Sequence, residues 1–324
     1  MALDGVPWAI GGDAEHGPNV ARQLAYLATS GNEGIVGPND LKVSALAVPG
    51  AGVQVAAGAA SVLNRVSSQE AYTVRNPVAD ATSVKIAATG SSAGRSDLVV
   101  CVVDNPYVDG NAQAPADAAN GPYNRFAVIA GVPAGTTRLQ DVPQYAGMSA
   151  ITLARIDLPA STGTVTSSMV KDLRVLANPH ETTLVSANLG TVSSTLSATT
   201  GTLFPAYQPS VQVPNWATHV RVDVTVSQLS AAGNSTGYFN LSVRDNAGAT
   251  TIIDGDQMTY NVDSSATSTR FVHLATCYGD IRAYQGQTVK PSLYGRKSAA
   301  GQANLTYDSG SQMVFRTTFY ERIS

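Results

Sequence analysis

DLKVSALAVPGAGVQVAAGAASVLNR, residues Asp40 to Arg65, sets the fold class. Leu41, Val43, Ala45 and Ala47 alternate with other residues, and Val53, Val55 and Val62 continue the pattern. A period of two turns one face inward and the other outward, so the stretch predicts half-buried β-strand. Pro49-Gly50 and Ala57-Gly58 interrupt the run where a chain would turn, which predicts two short-looped hairpins. Outward from it, strands are expected at 71–75, 83–87, 97–103, 125–129 and 149–156. One or two helical turns are expected at 167–174. Upstream, Pro18 suits a first helical position. Val20, Leu24 and Leu27 follow at helical spacing, and Gly31 offers a stop. Three apolar anchors cannot hold so short a helix alone, so it must dock on its own domain, a copy of itself or another protein.

The second half repeats the alternation. Val220, Val222, Val224 and Val226 share one face, as do Phe239, Leu241 and Val243. Further strands are expected at 250–253, 257–262, 269–274, 287–294, 303–307 and 312–322. The expected architecture is all-β: two β-sandwich or jelly-roll-like domains preceded by a short N-terminal helix. Residues 1–39 form an arm and helix, 40–178 a β-sandwich module, 179–210 a Ser/Thr-rich linker with at most one strand, and 211–324 a jelly-roll-like sandwich. Asn178-Pro179 marks the boundary, since proline biases its predecessor to extended backbone.

Charged residues make up only 13% of the 324, against a usual share of about 25%. The polar surface must therefore come from Ser, Thr, Asn, Gln and Gly, which suits protein or sugar contacts. Net charge is −3 and Lys/Arg do not cluster, so no nucleic-acid partner is expected. No apolar run is long enough to span a membrane. Cys101 and Cys277 are expected to be free thiols, as in a reducing cytoplasm. The N-terminus, with Asp4 and Asp13, lacks the basic start of a signal peptide.

Catalytic chemistry finds little footing. His16, His180, His219 and His273 show no metal-ligand spacing, and no Gly-x-Ser-x-Gly elbow occurs. No metal or other cofactor is expected. Asp254 and Asp256, in IIDGDQ, read as a hairpin turn, with an ion site or a glycosidase-type carboxylate pair as alternatives. Tyr278, Tyr284 and Tyr294 are candidate ligand-binding aromatics, because glycine or charge surrounds them. Trp8, Val20, Leu24 and Leu27 are candidate oligomer or assembly contacts.

Four segments carry a resemblance: MALDGVPWAIGGDAEHGPNVARQLAYLATSGNEGIVGPNDLKV at the start, then VQVAAGAASVLNR with AYTVRN, then GRSDLVVCVVDNP, and last ITLARIDLP with SSMVKDLR. In order and spacing they resemble the N-terminal module of minor tail proteins from long-tailed phages of actinobacteria such as Mycobacterium. The resemblance covers roughly the first 178 residues. It implies a virion structural protein of the tail tip or baseplate, assembled in the host cytoplasm. Its partners would be other tail-tip proteins and copies of itself, as a homotrimer, with a host cell-envelope glycan as a possible contact. No reaction is implied. A carbohydrate-binding adhesin and a tail-associated cell-wall hydrolase are the alternatives.

Overall fold

The computed structural model describes residues 15–110, 112, 114–263 and 269–323. They fall into two units, one of residues 15–178 with Ile323 and one of Pro179–Arg322. Both are built from antiparallel sheets, and the one α-helix among the described residues lies near the N-terminus. No described helix is long and apolar enough to cross a membrane.

The first unit contains α1 (Pro18–Ala28), β1 (Gly34–Ile35), β2 (Val43–Ala45), β3 (Val53–Val55), β4 (Gly58–Leu63), β5 (Ala71–Asn76), β6 (Arg95–Val103), β7 (Asn124–Val132), β8 (Ala150–Leu158) and β9 (Val170–Asp172). Its largest sheet has the order β7-β6-β8-β9, beside a β1-β4-β5 sheet and a β2-β3 hairpin. The continuous apolar run Leu98–Val102 is explained by burial on both faces of β6. Val99 and Cys101 face a core shared with Val55, Val62 and Leu153. Leu98, Val100 and Val102 face a second core, closed by Leu139 and Val142. Asp97, fully buried at the start of β6, accepts from Arg95 Nε (2.7 Å), Arg95 Nη2 (2.9 Å) and Gly131 N (3.0 Å).

The opening stretch folds differently from its expected two hairpins. β2 and β3 do pair, Val43 opposite Val55, but β4 turns away to pair with β5 and β1. Gly58 allows this at φ +152°, where a Cβ would lie 2.5 Å from Asp40 Cα. Asp40 fixes the junction by accepting from Gly37 N and Ala59 N. The expected strand at 83–87 is only a bridge, Gly52 to Lys85, although Val84 and Ile86 are buried. The helical turns expected at 167–174 reduce to one 3-10 turn, Ser167–Met169, before β9.

The second unit contains β10 (Glu181–Asn188), β11 (Ser194–Leu196), β12 (Thr202–Leu203), β13 (Val211–Gln212), β14 (His219–Ala231), β15 (Ser235–Arg244), β16 (Thr251–Val262), β17 (Thr269–Asp280), β18 (Thr288–Lys297), β19 (Leu305–Tyr307) and β20 (Gln312–Tyr320). One sheet runs β10-β20-β14-β19-β11, with β17 on β14; the other runs β12-β18-β15-β16, with β13 on β18. Their inner faces make one core, in which Phe239 packs on Phe204, Tyr260 and His273 at 6.1, 5.2 and 4.4 Å between ring centres. Val220, Val222, Val224 and Val226 are all buried, at roughly 1.5–3 kcal/mol per side chain.

Two expectations are corrected here. The stretch 179–210 is not a linker, because it supplies β10, β11 and β12 to the two sheets. Glu181–Asn188 pairs with Tyr320–Met313 along its whole length, and Tyr307 Oη donates to Asn188 O (2.8 Å). Nor do Asp254 and Asp256 sit in a hairpin turn. They lie inside the continuous strand β16, where a register shift against β15 leaves Gly255 in a bulge. A Cβ on Gly255 would lie 2.7 Å from Leu241 O, so glycine is there for close approach rather than for turning.

Candidate functional site

The outer face of the five-stranded sheet is set by the parity of β15. Phe239, Leu241 and Val243 point into the core, so Tyr238, Asn240, Ser242 and Arg244 lie on the opposite face, where Ser242 is buried and the other three are half-buried. Opposite them on β18 lie Arg296 beside Tyr238, Tyr294 beside Asn240, Ser292 beside Ser242 and Lys290 beside Arg244. The Arg296 guanidinium lies over the Tyr238 ring at 4.6 Å, and that of Arg244 over the Tyr294 ring at 4.2 Å. Both arginines are half-buried and make no salt bridge with a carboxylate among the described residues. Arg244 Nη1 donates to Ala249 O (2.9 Å), while its Nε is buried without a partner. Gln208 Nε2 donates to Ser292 Oγ (2.7 Å) and Asn240 Nδ2 to Gly255 O (2.6 Å), so planar amides lie on this face at the Ser292 and Tyr294 rows. Asp254, opposite Ser242, is the acidic residue of this face.

The three candidate tyrosines do not share a surface. Tyr294 belongs to the face just described. Tyr278, on β17 of the other sheet, is 48% exposed and stacks on His219 at 5.4 Å, with Arg322 over its ring at 5.5 Å. Arg322 also lies over Tyr320 at 4.9 Å. Tyr284, in the 3-10 turn Arg282–Tyr284, packs partly against the core. Tyr238, Arg244 and Arg296 are the partners that sequence reasoning did not single out. The signal was the strand parity itself, which puts Tyr294 and Arg296 on one face and Tyr238 with Arg244 on its neighbour.

The remaining candidates are dispersed. Val20 is buried where α1 docks on its own unit, with Arg22 paired to Glu70 and lying over Tyr72. Leu24 and Leu27 are exposed, at 46% and 71%. Trp8 lies outside the described residues. His180 Nδ1 meets Glu321 Oε2 at 2.5 Å and its ring stacks on Trp216. Burial holds the His219 pKa below its ordinary value, against the pull of Asp280. Burial also lowers that of His273, to about 4. The Cys101 and Cys277 thiols are free and buried, pushed up to about 12, so neither is a nucleophile at neutral pH. Among the described residues, no group of three or more His, Cys, Asp or Glu could hold a metal ion. Asp254 and Asp256 are exposed side chains on a strand.

No family model and no curated protein matches the sequence. Solved structures align only loosely. The VP2 subviral particle of infectious bursal disease virus is 12% identical at a TM-score of 0.25, covering 90% of this chain and 75% of that one. The CBM22-1 xylan-binding domain of Paenibacillus barcinonensis Xyn10C is 14% identical at 0.16, covering 43% and 87%. The insecticidal delta-endotoxin Cry8Ea1 of Bacillus thuringiensis is 12% identical at 0.21, covering 90% and 52%. Alignments this loose decide nothing about what this chain does.

Proposed function

We propose that the protein is a structural component of a virion, a minor tail protein of a phage tail tip or baseplate, and that it is not an enzyme. The observation that carries this is the outer face of the six-stranded sheet. Val185 on β10, with Val272, Leu274 and Tyr278 on β17, are 48–63% exposed on it, and β20 and β14 lie between. Register aligns Ala187, Val314, Thr225 and Leu274 in one low-polarity row across the four strands. The neighbouring rows carry Arg221, Asp223 and Arg316, and an exposed face that mixes apolar and charged rows in this way suits specific contact with identical neighbours, as in a homotrimer. The tail assignment is supported by the sequence resemblance of the first 178 residues.

Antibody raised against the protein, coupled to gold and applied to intact phage particles, tests the assignment. Label at the tail tip is expected; label on the capsid, or only on infected-cell debris, overturns it. Light scattering of the purified chain should return about three times 33.4 kDa. For the hydrolase alternative, release of sugar or peptide from host cell walls, abolished by Asp254→Asn or Asp256→Asn, would replace the structural reading. A second reading, contact of the C-terminal unit with a host-envelope glycan, is favoured by the paired Tyr–Arg stacks.

A further inference from the structure

In the second unit, Arg221, Arg270 and Arg282 each hold a carboxylate: Asp223, Asp308 and Asp280. Arg244 and Arg296 instead hold their guanidinium carbons over tyrosine rings, on adjacent strands of one sheet face. Arg244 already spends Nη1 on Ala249 O and buries Nε, which leaves Nη2. Stacking uses the face of a guanidinium and leaves its uncommitted N–H groups to bind a carboxylate or phosphate in that plane. It also fixes the side chain beforehand, so less conformational entropy is lost on binding. Tyr238 and Tyr294 are diagonal neighbours across the β15–β18 pair, which sets the stacks about 7–8 Å apart at their backbone positions. Lys290 adds a third cation to the face and Asp254 a single anion. Asn240, in the row of Tyr294, and Gln208, bonded at the next row to Ser292, add planar amides to the same face, of the kind that hydrogen-bond hydroxyl groups.

We infer that the outer face of the β15–β18 pair binds an anionic glycan, a polymer whose sugar or polyol units carry carboxylate or phosphate groups. Arg244 and Arg296 hold the oxyanions, and Asn240 and Gln208 hold neighbouring hydroxyls. Repetition along the polymer lets weak contacts at the stacks, and at the copies of an oligomer, add up. The inference rests on the glycan-contact reading above and narrows it to one chemistry.

The full-length protein is tested by affinity electrophoresis and by calorimetry with polygalacturonate, with poly(glycerol phosphate) and with neutral dextran. Retardation by one or both anionic polymers, weakening as salt rises, is expected, and the stronger of the two identifies the oxyanion. Arg244→Gln and Arg296→Gln should each weaken binding about tenfold, the loss of one charge-assisted contact. Arg322→Gln, on a stack outside this face, should leave it unchanged. Hydrogen–deuterium exchange of the wild type supplies a readout independent of variant folding: anionic polymer should protect β15 and β18. Equal binding to dextran keeps the glycan contact and overturns the anionic assignment. Binding to none of the three overturns both. Protection confined to other strands, or unchanged affinity when Arg244→Gln and Arg296→Gln are combined, overturns the site.

Discussion

Lowering the pH from 7.5 to 5 should destabilise the second unit through His273, and replacing that residue should remove the effect. His273 sits on β17 with its ring 4.4 Å from that of Phe239, is 7% exposed, and has no partner for Nε2. Burial lowers its pKa from 6.5 to about 4. Between these values the unfolded chain binds the proton and the folded one does not. Stability is therefore fully present above the unfolded value and falls as pH drops through the window toward the folded one. A 2.5-unit separation at about 1.4 kcal/mol per unit gives a ceiling of roughly 3.4 kcal/mol, of which about 2 kcal/mol is lost by pH 5. Guanidinium unfolding would be followed by Trp216 fluorescence in a Trp8→Phe background, at both pH values, with and without His273→Leu. The carboxylates and His219 titrate in both proteins and cancel in the difference. The stability drop should be smaller by about 2 kcal/mol in the leucine variant. Equal drops in the two proteins would refute the buried neutral imidazole.

Two further outcomes follow from packing. Gly237→Ala should destabilise the second unit by several kcal/mol, since a Cβ there would lie 2.1 Å from Arg296 O and 2.5 Å from Tyr260 Oη; a denaturant midpoint within error of wild type would contradict this. Alkylation without reductant should label neither cysteine in the folded protein and both after unfolding, because Cys101 and Cys277 are free and buried; mass spectrometry showing labelling in the native state, or a two-dalton deficit with no label, would contradict it.

Alternation of apolar residues determined the all-β class, since burying one face of a strand requires a period of two wherever the other face meets solvent. It located β18 and β20 closely, found the inward residues of β15 and of the first part of β14 but not the extension of β14 to Ala231, and Pro18 and Gly31 bracketed α1. Glu181–Asn188 was illegible because β10 is an edge strand, exposed along most of its length, and a strand without a buried face has no alternation to read. Its partner lies more than 120 residues away, so only tertiary pairing makes it a strand. Asp254-Gly255-Asp256 carries turn chemistry, yet pairing with β15 on one side and the close approach of Leu241 O to Gly255 keep it extended. Tyr278 and Tyr294 looked alike in sequence, but their strands belong to different sheets, and the choice of sheet is made by long-range hydrogen bonding. The stacking of Arg244 on Tyr294 was likewise decided in three dimensions, where a long side chain reaches along the face to a ring on the neighbouring strand.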